Sequence, residues 1–411
     1  MYRMLCCVVL LIASFTASND AHSAEPPKIY KYTDLAKTPP MGWNSWNTFA
    51  CNINEQLIRD TADVMVSSGM RDAGYVYVNI DDCWHGERDE NGFIQADAKR
   101  FPSGIKALAD YVHARGMKLG IYSDAGAKTC GGHPGSQGHE YQDALQYARW
   151  GIDYLKYDWC NTEGRDPTEA YRTMAQALQS AGRPIVFSIC EWGDNKPWLW
   201  AQPLGHLWRT TGDIINCWDC VVNHGAWESN GIMRILDKQA GLRKYSGPGQ
   251  WNDPDMMEVG NLASANEDRA HFAMWAMLAA PLIAGNDLRS MNAATRETLT
   301  NRDVIAIDQD ALGLSGFPHK TEAGLQIWLK PLVNNAWAIA VLNRGETPRK
   351  VHFDWIAEDV QDSQTNLKPE FDKFTYTLTN VFTHRQSGTT EKPLELTVPA
   401  RDVTMFRLER K

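Results

Sequence analysis

Eight short apolar runs, each followed by polar residues and a helix-length stretch, constrain the fold of this chain most. They are MGWNSW (41–46), YVYVNIDD (75–82), KLGIYSD (118–124), YLKYDW (154–159), PIVFSICEW (184–192), HLWRTTGDI (206–214), WNDPDM (251–256) and PLIAGND (281–287). Strands that alternate with helices predict a parallel sheet joined by crossover helices. Near-continuous apolar runs suit strands buried on both faces. Eight such units predict an α/β (β/α)8 TIM barrel over residues 25–314. One intervening helix is expected from Glu55 to Ser68, with Asn52 and Glu55 as a capping box and Gly69 as its stop. After residue 315 the helical period disappears. Short strands with turn signals between them predict a C-terminal antiparallel β-sandwich over 315–411.

Where the acids fall narrows the chemistry. Asp81, Asp82, Asp124, Asp158, Glu191, Asp213, Asp253 and Asp255 all stand at the C-terminal ends of their runs. That rim carries the active site in such barrels. A lone acid there reads equally well as a helix N-cap, but six strand ends in succession do not. Within YLKYD, Lys156 and Asp158 are two apart and so share one face of a strand that ought to be core. Buried charges are paired or used. Lys156 is expected to lower the pKa of Asp158, and to matter for activity more than for stability.

Other chemistries lack their motifs. There is no GxSxG elbow, no GxxxxGK[ST] loop and no HExxH. A net charge of −9 argues against a nucleic-acid or anionic-membrane partner. A hard metal held by Asp81, Asp82 and Asp124 stays open as an alternative. Carboxylates with 16 Trp and 14 Tyr suit a carbohydrate partner and glycoside hydrolysis. No cofactor is called for, and nothing in the motifs specifies an oligomeric state.

The first 24 residues resemble a secretory leader: Arg3, an apolar segment over 4–13 and small residues at 21–24. Export permits disulfides. Setting Cys6 and Cys7 aside leaves seven cysteines, so at least one has no partner within the chain. Cys217-x-x-Cys220 reads as a local disulfide or, less well, as half of a metal knuckle.

TPPMGWNSW, NIDDCW, LGIYSDAG…TC, YLKYDWC, CEW, WRTTGDI and WNDPDM occur in this order. Together they resemble the α-galactosidases of glycoside hydrolase family 27, over roughly residues 37–310. The resemblance implies a retaining, two-step hydrolysis of terminal α-galactosides. Asp158 matches the nucleophile and Asp213 the general acid/base, with carboxyl groups about 5–5.5 Å apart. It also implies that Asp81 and Asp82 bind the 4- and 6-hydroxyls, and that Lys156 binds the 3- and 4-hydroxyls. Trp46 and Tyr122 line the wall, Arg209 meets the 2- and 3-hydroxyls, and Asp255 and Met256 complete the floor. Glu191 and Trp192 stand where related N-acetylgalactosaminidases have small residues, which favours a free 2-hydroxyl. The alternatives within this class are an α-N-acetylgalactosaminidase and a β-L-arabinopyranosidase; outside it stands a non-catalytic galactose-binding protein. Cys51–Cys83 and Cys130–Cys160 match disulfides of the family, Cys217–Cys220 is an extra pair, and Cys190 is left as the free thiol.

Overall fold

The computed structural model describes residues 28–411. The leader expected at 1–24 lies outside the described residues. All eight apolar runs contain a strand: β1 (Met41–Asn44), β2 (Tyr77–Asn79), β3 (Lys118–Asp124), β4 (Tyr154–Asp158), β5 (Val186–Ile189), β6 (Leu207–Arg209), β7 (Trp251–Asp253) and β8 (Leu282–Ala284). They form one sheet in the order β7-β6-β5-β4-β3-β2-β1-β8, and every pairing is parallel. Pro254 follows β7, where a ladder cannot continue. The barrel closes one step later: Met257 N–H donates to the Ile283 carbonyl at 2.7 Å, and Gly285 N–H donates to the Met257 carbonyl at 2.9 Å.

Helices α1 (Glu55–Ser67), α2 (Gly104–His113), α3 (Glu140–Trp150), α4 (Pro167–Ser180), α5 (Ile232–Lys238) and α6 (Ala265–Leu278) surround the sheet, followed by α7 (Ala293–Leu299) and α8 (Arg302–Asp308). Two expectations need correction. The cap of α1 is Asn54, not Asn52: its side chain accepts from Leu57 N–H at 2.8 Å. Glu55 accepts from Arg59 instead. Between β5 and β6 there is no α-helix, only the 3-10 turn Pro197–Leu199.

The C-terminal strands are β9 (Phe317–Glu322), β10 (Leu325–Pro331), β11 (Trp337–Asn343), β12 (Arg349–Phe353), β13 (Tyr376–Asn380), β14 (Arg385–Thr389), β15 (Leu394–Val398) and β16 (Asp402–Arg410). A six-stranded antiparallel sheet runs β9-β10-β11-β16-β13-β14, and β12 pairs with β15. One face of the larger sheet buries Ile327, Ile339 and Val341 against Val351, Phe353 and Val398. Its other face joins the barrel core through Trp328, Ala340, Leu342 and Met405. Helix α6 lies between barrel and sheet, so ten of its fourteen residues are buried. No helix of the described residues is long and apolar enough to cross a membrane.

Candidate active site

The period of two along each strand builds the barrel interior in layers. Tyr77, Tyr154, Val186, Leu207 and Trp251 form an apolar floor. Two residues further along, the same strands place Asn79, Lys156, Ser188, Arg209 and Asp253. Two further again come Asp81, Asp158, Cys190, Thr211 and Asp255. Gly120 completes the inner wall. A Cβ there would lie 1.9 Å from Asn79 Oδ1, so only glycine fits. The charged pair that interrupts YLKYD therefore stands above a hydrophobic plug, facing the barrel axis.

Asp158 is buried at the end of β4, and Trp159 N–H donates to its Oδ1 at 3.0 Å. Its carboxyl is pushed up to about 6. Burial is the main cause; Lys156 works against it, and the charges of Asp213 and Asp81 add to it. Lys156 thus has the expected direction of effect but does not win. It also has a different partner: Nζ donates to Asp81 Oδ2 at 2.9 Å. Asn44 donates to the same oxygen at 2.7 Å. Burial opposes the ammonium charge, and Asp81, with Asp158 adding to it, holds it firmly protonated. Lys156 Nζ also lies 5.3 Å above the Tyr122 ring, a cation–π contact across β3 and β4.

Asp124 is a site residue to which sequence reasoning assigned no role beyond a possible metal ligand. It sits opposite Asp158 in the β3–β4 register and is fully buried. Its oxygens accept from Gly126 N–H at 2.7 Å and Cys160 N–H at 2.9 Å. Burial and the Asp158 charge push it up to about 9. The register was the available signal: both acids end adjacent strands.

Asp82 accepts from Cys83 N–H at 2.6 Å and Gly131 N–H at 2.7 Å, and burial raises its pKa. These bonds tie the β2 rim to the β3 loop. Disulfides Cys51–Cys83 and Cys130–Cys160 clamp the same loops, and Cys217–Cys220 closes a third. Cys190 is the free, buried cysteine among the described residues. Groupings of His, Cys and Asp tight enough for an ion occur at Cys51, Cys83 and His133, and at Asp124, Cys130 and Cys160. Both are built on disulfide sulfurs rather than thiolates, and the set Asp81, Asp82 and Asp124 is not such a grouping.

Opposite lies a second charged group. Arg209 is buried; its Nη2 contacts Asp255 Oδ2 at 2.7 Å and Asp213 Oδ1 at 3.1 Å. Its Nη1 donates to Cys190 Sγ at 3.7 Å. Asp255 accepts from Ile214 N–H at 2.9 Å, which joins the β6 loop to the end of β7. It adopts φ 89°, a left-handed backbone unusual outside glycine. Burial pushes it up to about 7, with Arg209 opposing. Asp213 itself keeps a side chain 38 % exposed. Glu191 is fully buried, and burial pushes it up to about 7. Its Oε2 accepts twice from Asn195, at 2.6 and 2.8 Å. Its Oε1, with Arg209 Nε and Thr211 Oγ1, is buried without a protein partner among the described residues. Trp192, in a left-handed conformation at φ 59°, and Trp46 are half-buried; Met256 is buried.

Unpartnered polar atoms among paired carboxylates and aromatic walls match the hydroxyls and apolar faces of a sugar. A barrel with this rim defines the class as a carboxylate-dependent glycoside hydrolase. The α-galactosidase A family pattern matches residues 38–310, and the α-galactosidase C-terminal β-sandwich pattern matches 322–408. Alpha-galactosidase A of Cellvibrio japonicus is 59 % identical over 378 residues, covering 92 % of this chain and 93 % of that one. Alpha-galactosidase I of Mortierella vinacea superimposes with a TM-score of 0.84 at 36 % identity, covering 92 % of this chain and 98 % of that one. The α-galactosidase of Saccharomyces cerevisiae, solved with raffinose, gives 0.86 at 31 %, covering 94 % and 100 %. The chain belongs to the melibiase-like α-galactosidases of glycoside hydrolase family 27, and it is a glycosidase that releases galactose.

Proposed function

We propose that the rim cleaves terminal α-D-galactosides by double displacement, with Asp158 as nucleophile and Asp213 as general acid/base. The contrast between the two carboxyls carries this reading. Asp158 is buried and held by a strand end, which suits a nucleophile shielded from water. Asp213 is half-open to solvent, which suits a group that must exchange protons with water. In the first step Asp158 attacks the anomeric carbon while Asp213 protonates the departing oxygen, and a β-galactosyl ester forms. In the second, Asp213 takes a proton from water, whose oxygen displaces Asp158 and restores the α configuration. Glycosylation of Asp158 removes its negative charge from the rim as Asp213 gives up its proton.

Asp81 accepts from the sugar while Lys156 and Asn44 hold its carboxylate still. Asp82 is fixed by two backbone donors beside it. Arg209 Nε, Glu191 Oε1 and Thr211 Oγ1 serve the far side of the ring, where a 2-hydroxyl fits and an acetamido group would meet Glu191 and Trp192. Trp46, Tyr122 and Met256 supply apolar walls and floor. The raffinose complex of the yeast relative supports an oligosaccharide substrate. We infer export from the leader pattern and the three disulfides.

The test is a panel of p-nitrophenyl α-galactoside, α-N-acetylgalactosaminide and β-L-arabinopyranoside, with the product anomer followed by NMR. α-Galactose from the first alone is expected. An inverted product, or preference for either competitor, would overturn the reading. Asp158→Asn should lower kcat by at least about a thousandfold with unfolding unchanged.

A further inference from the structure

Beyond Asp213 the chain forms a two-stranded ribbon, Val221–Asn223 against Glu228–Asn230, which none of the roles above uses. Residues 221–228 are all exposed. Trp227 is 52 % exposed, beside Val221 at 44 % and Val222 at 36 %. The register places Val222, His224, Trp227 and Ser229 on one face. The imidazole of His224 stacks on the indole at 3.9 Å and 20°, and its Nε2 bonds Ser229 Oγ at 2.8 Å. Trp227 is therefore held flat against a neighbour, with its other surface in water.

The feet of this ribbon are fixed to the catalytic rim. Asn230 N–H donates to the Asp213 carbonyl at 2.8 Å, and Ile215 N–H donates to the Asn230 carbonyl at 2.9 Å. Gly231 N–H donates to the Cys220 carbonyl at 2.8 Å, beside the Cys217–Cys220 disulfide. A Cβ at Gly231 would lie 2.7 Å from Cys217 Sγ, so the foot packs against the disulfide. Trp218 Nε1 donates to the Arg344 carbonyl at 3.1 Å, which anchors the loop to the sandwich.

An exposed, oriented indole thus stands three residues from Asn230, whose backbone is bonded on both sides to the segment that carries Asp213. We propose that the His224–Trp227 pair is a stacking platform for a sugar ring of the aglycone. This rests on the role of Asp213 proposed above. Flat sugar faces stack on such rings.

The experiment compares Trp227→Ala with wild type on α-D-galactosyl fluoride, which has no aglycone ring, and on a galactomannan. The fluoride should be turned over within about twofold of wild type, while kcat/KM on galactomannan falls about five- to tenfold, mainly through KM. Trp227→Phe should restore most of the loss. Equal losses on both substrates, or none on either, would overturn the platform. A wild-type protein inactive on the fluoride would overturn the reading of the rim, and the platform with it.

Discussion

Lys156 shows how a residue's neighbours in space revise what its neighbours in sequence suggest. Two residues from Asp158, it reads as that acid's partner. In three dimensions it is bonded to Asp81, seventy-five positions away, and is only 14 % exposed. Stability therefore has a stake in it too, beside the larger role in activity expected from the sequence. Lys156→Ala leaves the buried Asp81 carboxylate without a countercharge, held only by Asn44 and the Asp82 N–H, and should cost about 3 kcal/mol in urea unfolding as well as most of the activity. An unchanged midpoint would contradict this. Asp158 makes a second residue-scale prediction. Its carboxyl is pushed up to about 6, and the nucleophile role proposed for it requires the ionised form, so activity should be lost as pH falls through that value. The kcat/KM profile should show an acid limb near pH 6, and a limb near 4 would show that burial does not control this group.

Elements were legible where burial on both faces wrote a clear signal. Each of the eight barrel strands lies within its apolar run, because crossover structure covers the outside and packed side chains fill the inside. Elements without that signal escaped. Strand β14, RQSGT, is almost wholly exposed, and β9, FPHKTE, has no buried residue. The missing helix between β5 and β6 was equally unreadable, since a 3-10 turn and loop span the same length. Loops depend instead on covalent ties. Cys130–Cys160 spans 30 residues and ends two positions beyond Asp158. The double variant Cys130→Ser/Cys160→Ser should lose about 3–4 kcal/mol by loop entropy. It should also lower kcat more than the distant Asn54→Ala, a cap change of about 1 kcal/mol. Equal effects on kcat would show that the disulfide does not position the nucleophile.

At the scale of the molecule, barrel and sandwich share one buried seam. Lys330 of β10 donates to the Ala276 carbonyl of α6 at 2.8 Å, close to the buried Asp308 of α8. Burial raises Asp308 to about 8, so the folded protein holds a proton there that the unfolded chain has released. Its stabilising contribution is complete below about pH 4 and is lost as pH rises through 8. His206 and His271, depressed by burial to about 4 and about 3, act in the opposite sense, but only below about pH 6.5. Between pH 6.5 and 7.5, stability should therefore fall as pH rises, and Asp308→Asn should flatten that slope by about 1.4 kcal/mol per pH unit. Chemical unfolding across this window checks it, and an unaltered slope would remove Asp308 from the account. The sequence by itself determined the barrel, the sandwich and the ring of acids at the strand ends, because periodicity and burial act locally along a chain. Which acids burial pushes toward the protonated form, which lysine meets which carboxylate, and which indole stands exposed on the ribbon bonded to Asp213 were decided by tertiary structure. Charge and desolvation depend on distances through space, and those distances exist only once the barrel has closed.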